Sequence, residues 1–166
     1  MPRALALLIA VLTIAGCGGG DSTTTSVRTV TGQTGKPLTR EQYIAEADSI
    51  CGSYHPRLHD LRDKFRAAAV RRDYAAAADA LQEAMSISRV EFDKLTAIRQ
   101  PERDREVLGK LFDKADQAIA LFESSIEPLR DESSDRFTTL ADEANSAADQ
   151  ERGIATGYGF KVCGQD

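Results

Sequence analysis

The two histidines of this 166-residue chain, His55 and His59, stand four positions apart, and Asp63 follows four further on. On a helix that spacing lines all three side chains along one face. Neutral imidazoles and a carboxylate so placed are ligands that zinc or copper accepts. Two features weigh against a metal. Pro56 distorts the same turn, and a di-metal bundle calls for Glu-x-x-His pairs, whereas no glutamate stands three residues before either histidine. Solvated polar residues are therefore the default reading, and a metal site of His55, His59 and Asp63 is the alternative. A haem axial pair from His59 and Met85 would lack the Cys-x-x-Cys-His attachment motif. No Gly-x-Ser-x-Gly elbow, His-Glu-x-x-His or Cys-x-x-Cys occurs, so an enzyme is not expected.

The three cysteines carry the clearest chemistry. Arg3 is followed by an apolar run over residues 4–16. That run is too short to span a bilayer, which takes about 20 apolar residues, and has the length of a signal-peptide core. It closes on Ile14-Ala15-Gly16-Cys17, which resembles the lipobox of bacterial lipoproteins: an aliphatic residue, two small ones, then cysteine. The resemblance implies a signal peptide at 1–16, cleavage before Cys17, and acyl chains such as palmitate on Cys17. The protein would then be held on the extracytoplasmic face of a cell membrane. One acyl chain binds only reversibly, whereas two or three hold a protein almost permanently.

With Cys17 committed to lipid, Cys51 and Cys163 form an even pair in a compartment where disulfides persist. The net charge of −5 does not suit nucleic acid, whose phosphates demand clustered Lys and Arg. Residues 17–38 show no apolar periodicity and are rich in Gly, Ser and Thr, which predicts a disordered tether. Within it, Gly32-Gln33-Thr34-Gly35-Lys36 fails as a phosphate loop, because Pro37 stands where Ser or Thr is required and no strand precedes it.

Positioning falls to the helical pattern over residues 39–166. A first stripe runs Tyr43, Ala47, Ile50, Tyr54, Leu58, Leu61, Phe65 and Ala68, straight through Pro56, which favours one kinked helix over two short ones. A second runs Tyr74, Ala78, Leu81, Met85, Phe92 and Leu95, with Ser88 in a core-like slot. Pro101 suits the first turn of a third helix bearing Leu108, Leu111, Ala115, Ile119, Phe122 and Ile126, and Pro128 with Ser133-Ser134-Asp135 marks the last break. The fourth stripe, Phe137, Leu140, Ala144, Ala147 and Ala148, is thin and buries little. Four such helices with short connections predict an all-α fold, an antiparallel up-down four-helix bundle with a kinked first helix, stapled by one disulfide.

In that topology Cys51, early in helix one, and Cys163, after helix four, come to the same end. A loop of about 110 residues gives a disulfide close to 5 kcal/mol in the chain-entropy limit, which a fourth helix with an alanine face would need. Ala47-Asp48-Ser49-Ile50-Cys51 and Tyr158-Gly159-Phe160-Lys161-Val162-Cys163-Gly164 also resemble a recurrent pattern in small exported helical proteins and lipoproteins of high-GC Gram-positive bacteria. That resemblance implies the architecture and brings no activity with it.

The function expected is a non-catalytic envelope module that binds a protein, wall polymer or small ligand, with no cofactor. Aromatics such as Tyr43, Tyr54, Phe65, Tyr74, Phe92, Phe112 and Phe122 could line a ligand pocket but sit at core spacing. The anchor yields a direct expectation: Cys17→Ser releases the protein from the membrane while its circular dichroism stays that of the folded helical domain. Recovery of the variant in a salt-washed membrane pellet would count against lipid attachment.

Overall fold

Thr39 starts the helical domain. Its hydroxyl accepts the Gln42 N–H at 3.3 Å, and the Gln42 side chain accepts the Thr39 N–H at 3.0 Å. This reciprocal capping box satisfies two backbone donors that a helix start otherwise leaves open. The computed structural model of the protein describes residues 36–164. The expected signal peptide, the expected lipidation site Cys17 and the expected tether up to residue 35 lie outside the described residues. Of the expected tether, Leu38 belongs with the folded domain, since it packs against the core beside Tyr43.

Helix α1 spans Arg40–Val70, α2 Tyr74–Ala97, α3 Arg105–Arg130 and α4 Ser134–Tyr158, with one 3₁₀ turn at Glu102–Asp104. Pro56 does not divide α1. It lies exposed, where the Gly52 carbonyl that loses its N–H donor can turn to water. Pro128 likewise falls inside α3 and not at a break, and Pro101 precedes the 3₁₀ turn, with α3 proper beginning at Arg105. Among the described residues there is no strand, and no helix is long and apolar enough to cross a membrane.

The two hairpin turns are built alike. After α1, the Asp73 N–H reaches the Ala68 carbonyl and Arg72 reaches Ala69; after α3, Ser133 reaches Pro128 and Glu132 reaches Leu129. Both are Schellman closures, which need a left-handed residue. Arg72 (φ 58°) and Glu132 (φ 56°) occupy that position without being glycine.

Around the antiparallel bundle, α1 packs on α2, α2 on α3, and α3 on α4. Arg57 pairs with Glu83 across the first contact, and Arg89 crosses the second to Glu123 and Asp116. The closest packing joins α3 and α4, because Ala144, Ala147 and Ala155 are small enough to let the backbones approach. The thin fourth stripe is thus a close-packing face and not a weak one. The fourth side of the bundle is different: α1 and α4 do not pack along their lengths.

A C-terminal tail, residues 159–164, closes that side at one end. Gly159 (φ 109°) turns the chain back, so that Phe160 lies 6.1 Å from the Tyr43 ring and 5.1 Å from Tyr158. Asp48 then accepts the backbone N–H groups of Lys161, Val162 and Cys163 at 2.9, 3.0 and 3.0 Å. Cys163 is bonded to Cys51 with the Cα atoms 5.4 Å apart. Gly164 (φ 72°) ends the crossing where a Cβ would meet that of Ala155 at 2.7 Å, so only glycine fits. Beside the tail, Arg40 grips Asp104 through two 3.0 Å bonds, and the Tyr158 hydroxyl donates to the same carboxylate at 2.8 Å.

Hydrogen bonds to a charged group contribute about 1.5–3 kcal/mol each and are not additive when shared. Asp48→Ala is therefore expected to lower stability by roughly 2–3 kcal/mol and to speed amide exchange at Lys161, Val162 and Cys163 with the disulfide still formed. Unchanged protection of those three amides would contradict the clamp.

Candidate functional site

The core of the bundle is not continuous. One cluster fills the end that holds the tail, with Tyr43, Ile98, Leu108, Leu111, Tyr158 and Phe160 at its centre; a second fills the end with the two turns, around Ala68, Ala77, Ala78, Ile126 and Leu129. Between them lies a cavity of about 270 Å³. All four helices and the tail contribute to its wall: Cys51, His55 and Leu58 from α1, Met85, Ser88 and Phe92 from α2, Ala115, Ile119 and Phe122 from α3, Ala148 and Glu151 from α4, and Cys163 from the tail. Helices α1 and α4, which pack little on each other, both contribute to its wall.

Its origin is visible in the residues. Ser88, Ala115, Ala118 and Ala148 stand where a filled bundle would carry Leu or Ile, so the edge-to-face pair Phe92 and Phe112, 5.8 Å apart, and Phe122 border empty space. Voids are expensive: at about 24 cal/mol per Å³, a closed cavity of about 270 Å³ would cost up to roughly 6 kcal/mol. Apolar cavities of about 150 Å³ already accept a benzene-sized molecule. A chain that leaves the larger space open forgoes stability that four bulkier side chains would supply.

Few polar groups border this space. Tyr43 lies under it, wholly buried, and its hydroxyl has no hydrogen-bond partner among the described residues. Burial pushes its phenol well above the usual tyrosine value, with Tyr158 and Glu46 adding to the effect, so it remains a neutral donor. Leaving such a group unsatisfied costs about 1–3 kcal/mol. Glu151, half-buried, carries its carboxyl above the usual range because burial disfavours the charge, and Arg152 offsets this only in part. Arg152 itself pairs with Asp149 at 2.7 Å. Glu91 and His55 complete the polar rim, both half-buried.

The alternative metal set of His55, His59 and Asp63 is not brought together. His55 turns into the cavity wall, whereas His59 lies exposed on the outer surface with Nδ1 3.4 Å from the Asp63 carboxylate. Four-residue spacing through the proline turn leaves the two imidazoles on different surroundings, and among the described residues no three His, Cys, Asp or Glu side chains are placed to hold an ion. The disulfide forms as expected, and both its cysteines belong to the cavity wall. Of the aromatics, Tyr43, Phe92, Phe112 and Phe122 reach the cavity, while Phe65 and Tyr74 pack in the second core cluster. Tyr54 lies under the Lys94 ammonium at 5.0 Å. Sequence reasoning missed Asp48, Glu151 and the cavity itself; the run of small residues opposite phenylalanines was the available signal.

Comparison with family models, with curated proteins and with solved structures found no match.

Proposed function

We propose that this chain is an exported lipoprotein, anchored through Cys17 on the extracytoplasmic face of a cell membrane, and that it is a non-catalytic binding protein holding a small, largely apolar ligand between α1 and α4. The observation that supports this most is the divided core: two packed clusters flank a 270 Å³ space that small residues keep open. Binding sites between the helices of bundles have this character, apolar walls with a few polar groups. The lipid would confine the protein to the membrane surface, and the tether between Cys17 and Leu38, with a reach of roughly 25 Å by chain statistics, would let the domain work clear of the headgroups.

Filling the space separates a binding site from an incidental void. Ala148→Phe is expected to keep the helical fold, since the ring enters empty volume, and to abolish binding of the neutral single-ring probe 2-phenylethanol, which the parent binds saturably at one equivalent in calorimetry. Equal binding by parent and variant, or binding that never saturates, would refute the proposed site.

A further inference from the structure

Resting on the reading of the cavity as a ligand site, we infer that its ligand is a small apolar amine, bound as the ammonium ion with its charged end at Glu151 and its apolar body among the phenylalanines. Glu151 is the decisive group. It lines the cavity, no cation or hydrogen-bond donor engages it among the described residues, and the one charge that acts on it, Arg152, is held by Asp149. A half-buried carboxylate in that position keeps its charge through water at its oxygens, a place that a bound cation can take.

Ligand charge follows from what surrounds it. Arg152 also borders the wall, but its guanidinium is drawn to Asp149, so an anionic ligand such as a fatty acid would desolvate the like charge of Glu151 beside a cation already engaged. A neutral ligand would seal Glu151 from water without replacing its hydration. An ammonium ion donates hydrogen bonds to the carboxylate, and rings such as Phe92, Phe112 and Phe122 suit both the apolar body and a cation at their faces. His55, Glu91 and Arg152 are the other charged or titratable groups that line the same wall. Burial raises the Glu151 carboxyl above its usual range; a bound cation reverses that effect, so binding is accompanied by loss of any proton the carboxyl carries.

The space sets the size. About 270 Å³ admits one ring or a short alkyl chain and excludes a full diacyl lipid or a folded peptide.

The test uses the full mature chain carrying Cys17→Ser, oxidised, titrated calorimetrically at neutral pH with three probes of one shape: 2-phenylethylamine, 2-phenylethanol and 3-phenylpropionate. The amine is expected to saturate at one equivalent, about tenfold or more tighter than the alcohol, as one charge-assisted hydrogen bond provides, and the acid to bind weakest. Glu151→Gln should remove that advantage and leave the alcohol's affinity within about twofold, which also shows that the variant is folded. Equal affinities for amine and alcohol, an amine affinity unaffected by Glu151→Gln, or a preference for the acid would overturn the ligand class while leaving the cavity as a site. Failure of all three probes to saturate would overturn both.

Discussion

Along the fourth side of the bundle α1 and α4 meet only towards one end, where Tyr43 and Arg40 pack on Tyr158, and a clamp reinforces that end. Asp48 takes three successive backbone N–H groups of the tail, and Cys51 is bonded to Cys163 in the same crossing. Three packed pairs of helices make an open arc, not a closed ring. The tail adds a covalent tie to the Tyr43–Tyr158 and Arg40–Tyr158 contacts that set the distance between α1 and α4 at this end. The covalent half of the clamp spans 112 residues, long enough for the chain-entropy effect to approach 5 kcal/mol as an upper bound. Against a total stability of about 5–15 kcal/mol for an ordinary domain, that is a large share.

The clamp also explains why the cavity survives. An arc of helices with small residues at mid-height would tend to collapse and bury its phenylalanines against each other. Two packed ends prevent this: the aromatic cluster of Tyr43, Tyr158 and Phe160 under the tail, and the alanine-lined cluster beneath the two turns. The Arg40–Asp104–Tyr158 network fixes the first end further, tying the starts of α1 and α3 to the end of α4. Both cysteines and Gly164 border the cavity, so the element that holds the hairpins together is also part of the binding wall. Stability and the proposed function therefore meet in the same residues.

Much of the fold was legible in the sequence because helical periodicity and cysteine count are local or arithmetic signals. The four stripes located the four helices, and Thr39 marked the start of the first. Pro128 misled as a boundary, since it sits inside α3, whereas the unbroken stripe through Pro56 read α1 correctly as one helix. The alanine face of α4 suggested weakness, yet small side chains allow the closest approach in the bundle. Asp48 was unreadable as a clamp, since its partners are backbone amides more than a hundred residues away. The cavity required three-dimensional registration of Ser88, Ala115, Ala118 and Ala148 at one level, although Ser88 in a core-like slot was its trace in the sequence. His55 and His59 show the converse: correct spacing without convergence.

The clamp is the claim on which the rest stands, and hydrogen exchange of the oxidised and the reduced, alkylated protein tests it most directly. Loss of the disulfide should raise exchange in the first turns of α1, residues 40–51, in the last turn of α4 and in the tail. Protection should persist in α3 and at the turn end around Ala77 and Leu129. The two hairpins would then part along the unpacked side while each stays intact. Exchange that is unchanged on reduction, or that spreads evenly through all four helices, would contradict a bundle held closed by its tail.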